Sequence, residues 1–349
     1  MDTILFLAHT EADGTLPRAA CEALTAARDL AAALGGAGFA AGLVGADVGP
    51  AADSLAASGV VRITAVTGPG FGPSRYASDA AAAEALCRAA GATLILAPAT
   101  SRWSRALPGV ACRLGGRIDS HVTAVSAADG TVSAGRWYYR QRMEAVVQRA
   151  TRPWIILIEA GCFPAWTGSP ARAAVEILPV DLPPACQRTA VIGVAAPAAD
   201  QQTIRPDAEL LLVAGAGWTK KQADGQVHAG EAAGLLLEFL RLTQASLGGS
   251  KSLVDLSGEG QTVLPFLTHL NQIGQTGSSP RHPRGLSTCC HGEEPHVVGW
   301  RFVNERRAIN LDASCGWARG KADVVYVADA FDLLSTVNAL LAARAGGPA

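Results

Sequence analysis

The sequence has no surplus of either charge. Its 29 Lys and Arg stand against 30 Asp and Glu, for a formal net charge of −1. That balance, with no block of like charge, argues against a nucleic-acid partner and against an acidic or basic tail. There is no run of about eighteen consecutive membrane-grade residues. The longest apolar stretches are rich in Ala and broken by Gly or polar residues, so the chain is not expected to be membrane-embedded. The first residues, Met1-Asp2-Thr3-Ile4-Leu5-Phe6-Leu7, lack the basic start and small-residue cleavage site of a signal peptide. They read as a first strand, and the expected location is cytoplasmic. The eight cysteines contain no C-x-x-C pair, and they are expected to be reduced and mostly buried. Cys289-Cys290-His291 with His296 is the one group with metal-ligand chemistry. Adjacent cysteines in a strand point to opposite faces, so no metal site is expected. Neither a G-x-S-x-G elbow nor an H-E-x-x-H helix is present, so nucleophilic and zinc-hydrolase catalysis find no support. Glu293-Glu294 reads as a solvated or helix-opening pair, and His228 and His269 as capping or surface residues.

What is present is a soluble globular composition, 49% apolar and 17% charged over 349 residues. That length is enough for two domains with separate cores. The apolar run 3–7 reads as a buried strand, and short apolar runs bounded by Gly or Pro suggest strands at 39–44, 60–66 and 93–97, with helices at 17–34, 51–58 and 78–90. Thr15 is the expected cap of the first helix. A Pro- and Ala-rich stretch at 164–206 contains one strand candidate, 190–194, and places a boundary near 178–188. A second series follows: strands at 209–214, 286–290, 307–310 and 324–328, and helices at 228–245, 262–270 and 330–343. Alternating strands and helices imply parallel sheets. The expectation is α/β, with two parallel-sheet α/β domains at residues 1–185 and 186–349, the second flavodoxin-like or doubly wound.

In open parallel sheets, ligands bind outside the carboxyl ends of the strands. Candidate strand ends in the second half carry small or polar residues: Gly215-Ala216-Gly217, Gly249-Ser250-Lys251, His291-Gly292 and Asn310-Leu311-Asp312. The turn Ile273-Gly274-Gln275-Thr276-Gly277 adds backbone N–H groups of the kind that bind anions. A nucleotide-type ligand is one reading, and a set of ordinary βα turns is the other. The first half offers no comparable site.

These residues resemble the α subunit of the electron transfer flavoprotein family, over nearly the whole chain. In the first half the likeness rests on Leu94-Ile95-Leu96-Ala97-Pro98-Ala99-Thr100, on the helix-start motif Leu107-Pro108-Gly109 and on Asp119-Ser120-His121-Val122-Thr123. In the second, the family's Val-Gly-Gln-Thr-Gly turn is matched at Ile273 to Gly277, and its Ala-Ile-Asn at Ala308-Ile309-Asn310. The resemblance implies FAD in the C-terminal domain. Thr276 would contact flavin N5, and Asn310 and Asp329 would lie at the adenosine end. A gapless register from Thr276 to Asn310 places His291, Gly292 and His296 on the family's Gly-Ile-Ser-Gly-Ala-Ile-Gln-His motif, with His296 near the flavin O2 edge. A rival register aligns Gly285-Leu286-Ser287 with Gly-Ile-Ser but needs a deletion and an insertion, and the gapless one is preferred.

Two departures stand out. The family's Gly-Gly-Arg-Gly reads Gly215-Ala216-Gly217-Trp218, with Lys220 or Lys221 as the nearest replacement cation, and its Ser-Arg reads Ser250-Lys251. Lys keeps the charge but loses the planar, bidentate fork. The family implies a non-enzymatic electron carrier that pairs with a β subunit, takes electrons from a partner dehydrogenase and passes them toward a quinone oxidoreductase and the respiratory chain. The lost arginines keep a second expectation open, a FAD-poor structural or assembly subunit of a flavoprotein dehydrogenase complex. A third, a nucleotide-binding enzyme of the same sheet type, finds no acid/base set in the sequence.

Overall fold

A computed structural model of the chain describes residues 2–36, 38–138, 143–193, 204–205, 208–250, 253–254, 262–273, 281–288 and 303–346. They form two compact units, Met1–Val194 and Ala195–Ala349.

The first unit is built on a nine-stranded sheet in the order β7-β6-β5-β8-β4-β1-β2-β3-β9. Its central strands are β1 (Ile4–His9), β2 (Phe39–Gly45), β3 (Arg62–Thr67), β4 (Leu94–Pro98) and β8 (Trp154–Ile158). They are parallel, and β1, β2, β4 and β8 are buried along their whole length. Continuous apolar runs such as Ile4-Leu5-Phe6-Leu7 follow from that, because both faces are covered. Helices α1 (Arg18–Ala33) and α2 (Gly49–Leu55) cover one face, with Leu24, Leu30 and Leu55 packed against Ile4, Phe6 and Leu43. Helices α3 (Tyr76–Ala89) and α4 (Ser101–Arg113) cover the other, with Leu86, Trp103 and Leu107 against Leu5 and Leu7. Each fully buried Leu contributes roughly 1.5–3 kcal/mol.

The parallel-sheet expectation holds for these strands, but the sheet extends further. β5 (Arg117–Ala128), β6 (Thr131–Tyr138) and β7 (Met143–Val147) form an antiparallel meander on its edge, joined to the core where β5 runs parallel to β8. β9 (Glu176–Ile177) pairs parallel with β3 at the opposite edge. Several local expectations are corrected. Pro108 lies inside α4 rather than at a helix start. Thr15 bonds Asp13 instead of capping α1, whose N-terminal flank at Pro17 has no side-chain cap. Residues 190–193 form no strand; they have no neighbouring strand to pair with and are exposed, while residue 194 is outside the described residues.

The second unit is a five-stranded parallel sheet in the order β11-β10-β12-β13-β14. The strands are β10 (Leu210–Ala214), β11 (Ser246–Gly249), β12 (His282–Thr288), β13 (Val303–Asn310) and β14 (Val324–Val327). Helices α5 (Ala229–Thr243) and α7 (Ala330–Gly346) share one core with Leu212, Leu247 and Ile309. Helix α6 (Gly316–Lys321) lies on a second core with Leu211, Val213 and Ile273. Counting in chain order, the strands run 2-1-3-4-5, the flavodoxin-like arrangement. The expected helix at 262–270 is a series of turns ending in a 3-10 turn at His269–Asn271. Pro265 interrupts it, and the Asn271 Oδ1 captures the Thr268 N–H at 3.1 Å, so the side chain competes with helical bonding.

None of the six described cysteines is in a disulfide. Only Cys87 and Cys315 are buried, and Cys112 is exposed, so burial is less general than expected. Burial pushes the Cys87 thiol up to about 12, leaving it inert. Among the described residues no His, Cys, Asp and Glu group could hold a metal, and no helix is long and apolar enough to cross a membrane.

Candidate functional site at the carboxyl edge of the second sheet

Because all five strands are parallel, their carboxyl ends share one edge. Register pairs Ala214 with Gly249 and Thr288, Thr288 with Ile309, and Asn310 with Val327. The strands therefore end nearly level. With neighbouring strands about 4.8 Å apart, the edge from β11 to β14 spans roughly 19 Å. An extended nucleotide fits along such a line. The chain order reverses direction between β10 and β12, and that switch point is where ligands of such sheets bind.

The structure brings five of the expected site residues to this edge. Gly217 lies in the 3-10 turn Ala216–Thr219 directly after β10, where its carbonyl accepts from Gln222 Nε2 at 3.0 Å. Ser250 follows β11 and is fully buried. Its N–H donates to the Ala214 carbonyl at 2.9 Å, and its hydroxyl accepts from the Leu253 N–H at 3.3 Å. Ile273 continues this edge, its N–H bonding the Gly249 carbonyl at 3.1 Å. Asn310 ends β13, 1% exposed. Asp329 follows β14 and caps α7, its Oδ1 accepting from the N–H groups of Phe331 at 2.8 Å and Asp332 at 3.3 Å. Lys251, Gly274, Gln275, Thr276, His291, Gly292 and His296 lie outside the described residues. Gly285-Leu286-Ser287, the segment of the rival register, lies within β12.

Asn310 carries the clearest sign of a ligand. Its Oδ1 accepts the Asp312 N–H at 2.9 Å, which fixes the amide. Its Nδ2 is buried and has no hydrogen-bond partner among the described residues. A buried donor left unmet costs about 1–3 kcal/mol, and an acceptor on a bound nucleotide would meet it. Asp329 lines a cleft of about 270 Å³ together with Asp224, His228 and Glu231. That cleft is acidic and suits hydroxyl groups better than phosphates.

Trp218 was not foreseen as part of the site. It stands at the switch point, fully buried, with its Nε1–H donating to the Thr288 Oγ1 at 2.7 Å; that hydroxyl donates in turn to the Val213 carbonyl at 3.0 Å. Its ring packs on Phe331 with centroids 4.6 Å apart. An indole thus fills space beside the position where the resemblance calls for an arginine. The only sequence signal was the apolar residue ending Gly215-Ala216-Gly217-Trp218, which gives no hint of the Thr288 bond.

These two α/β units, the second built on a wholly parallel sheet with a switch point, define a two-unit protein of the α/β class. Residues 4–183 match the family model described as the electron transfer flavoprotein domain. The match covers more than half of the 349 residues, so the chain belongs to the electron transfer flavoprotein family. No curated protein matches it. Proteins of this family are electron carriers rather than enzymes; they generally bind a flavin and work with a partner subunit and dehydrogenases. The matched span lies in the first unit, whereas the edge described above belongs to the second.

Proposed function

We propose that the chain is the α-type subunit of an electron transfer flavoprotein, with FAD held by the second unit. The observation that carries this reading is the second unit itself. Beyond the matched domain the chain continues into a parallel 2-1-3-4-5 sheet, whose carboxyl edge gathers Gly217, Ser250, Ile273, Asn310 and Asp329. FAD supplies the electron storage, since no side chain can hold and release electrons in this way. The chain's own residues supply its hold. Asn310 Nδ2 donates at the adenosine end, with Asp329 beside it. Ser250 follows β11, and Lys251 after it would add a cation to the hold on FAD. Ile273 leads into Gly274, Gln275 and Thr276, whose hydroxyl would serve the flavin. His291, Gly292 and His296 follow β12 and complete the set. Residues 1–185 make the contact with a β-type subunit, a cytoplasmic dehydrogenase donates the electrons, and a quinone oxidoreductase accepts them.

A second reading, a FAD-poor structural or assembly subunit, is favoured by one observation, the buried Trp218 beside the arginine position. One experiment separates the two. The chain is co-expressed with a β-type subunit from the same genome, and the purified complex is scanned in the visible range. A flavin band near about 450 nm is expected. A correctly assembled but colourless heterodimer would overturn the first reading in favour of the second.

A further inference from the structure

A second feature, in the first unit and independent of any flavin, has the make-up of a small-molecule site. β5 and β8 are in register from Arg117 to Asp119 and again at Val122, but the register shifts between, so Ser120 and His121 form a bulge. His121 adopts φ +55°, in the left-handed region. Such a backbone costs a non-glycine residue about 1 kcal/mol or more, and bulges of this kind re-aim side chains. Here the result is a bond from His121 Nδ1 to Glu159 Oε2 at 3.0 Å. The Glu159 N–H donates to the Val122 carbonyl at 2.9 Å, which ties the two sides of the bulge together.

The bulge forms the lip of a cavity of about 410 Å³ at the carboxyl ends of β4 and β8. Its volume is in the lower part of the range for small-ligand pockets. Ala99, Ile118 and Leu157 give it an apolar floor, and Ser104, His121, Arg136 and Glu159 a polar rim. The charges on that rim, taken with Asp119 and Arg149 bonded behind it, do not cancel. Asp119 is already bound by Arg136 at 2.7 Å, by Arg149 at 2.9 Å and by the Trp154 indole at 2.9 Å. Glu159 is matched by His121, whose imidazole the Glu159 bond holds above its ordinary pKa against the opposing effect of burial and of Arg136. With His121 protonated, two guanidiniums and an imidazolium face two carboxylates. Donors are in excess as well. Arg136 Nε is buried without a partner, and His121 Nε2 makes no hydrogen bond among the described residues.

We propose that this cavity binds a free, small carboxylate with a short apolar tail. The carboxylate accepts from the donors of His121 and Arg136, and the tail lies on Ala99, Ile118 and Leu157. Charge-assisted hydrogen bonds of this kind are the strong ones, and the apolar floor selects against fully hydrated anions. The strained bulge brings His121 to the cavity.

The test is calorimetric titration of the full chain with sodium butanoate at constant ionic strength, with butanamide as the neutral match. Saturable one-to-one binding of butanoate on the order of millimolar is expected, with butanamide weaker by about tenfold or more. His121→Asn removes the imidazole while keeping a residue that tolerates the left-handed backbone. It should weaken butanoate by about tenfold. Ala99→Leu fills the floor with the His121–Glu159 bond intact, and should abolish binding while circular dichroism stays unchanged. Absence of saturable butanoate binding, affinity unchanged in both variants, or displacement by inorganic phosphate with no response to butanoate would each overturn the proposal.

Discussion

His9 shows how strongly one residue's surroundings set its chemistry. It ends β1 at the switch point of the first sheet, 8% exposed, with Nε2 bonded to the Thr100 Oγ1 at 3.0 Å and its ring edge-on to Trp103. Burial first, and the positive charge of Arg102 second, lower its pKa to about 4. An unfolded His titrates near 6.5, so between these values the unfolded chain binds the proton and the folded chain does not. Stability is therefore lost as pH falls from about 6.5, and the loss is complete near 4. The shift corresponds to about 3 kcal/mol. His9→Gln keeps a polar partner for Thr100 but cannot titrate. Urea denaturation at pH 7 and pH 4 should show a smaller acid loss for the variant than for the natural chain, by about that amount. Equal acid losses in the two chains would show that His9 is not buried in its neutral form.

At the scale of elements, the legible parts were the ones buried on both faces. β1, β2 and β4 are apolar runs of five to seven residues, β2 and β4 flanked by Gly or Pro, and runs that short suit a buried strand better than a helix. The edge meander was not recognised because β5 alternates half-buried Ala, Ser, Thr and Val with no strong apolar period. Its one clear signal was Asp129-Gly130, both at positive φ between two alternating segments, a tight hairpin turn. α4 was obscured by Pro108, which suggests a helix start and sits instead within the helix. In the candidate site, the strand ends after β10 and β13 were legible because Gly or Asn ends an apolar run. The role of Trp218 was not, because filling a slot leaves no periodicity. β11 was legible only as the strand end Gly249-Ser250-Lys251, its run being four residues with two glycines. One of those glycines makes a testable case. A Cβ on Gly248 would fall 2.1 Å from the Ile273 Cδ1 and 2.6 Å from its Cγ1. Gly248→Ala must push Ile273 off β11, an overpacking cost of about 1–3 kcal/mol. Ile273 immediately precedes Gly274-Gln275-Thr276, so the variant complex should also release flavin more readily. Denaturation midpoint and flavin content after dialysis measure the two effects. A variant of unchanged stability would mean that Ile273 is not packed on β11 as described.

At the scale of the whole molecule, one mixed and one parallel sheet raise the question of which would take the proposed FAD. Each has a switch point. In the first sheet it lies between β1 and β4, and in the second between β10 and β12. The family match falls on the first unit, so membership alone does not locate a flavin. The side chains separate the two edges. At the first, His9 and Thr100 satisfy each other, and Arg102 is committed to the buried Asp79 at 2.6 Å and to the carbonyls of Phe71 and Gly72. At the second, Asn310 keeps a buried Nδ2 with no partner among the described residues. Hydrogen exchange read by mass spectrometry tests this contrast directly. With FAD at about a hundredfold over its Kd, the region that binds it gains about 2.7 kcal/mol, or roughly a hundredfold in amide protection where exchange requires that region to open. The gain is expected in peptides covering Leu210–Ala214, Ser246–Gly249 and Val303–Asn310. Peptides covering Ile4–His9 and Leu94–Pro98 should be unaffected. Protection confined to those two strands would move the flavin to the first sheet and leave the second without the role argued for it.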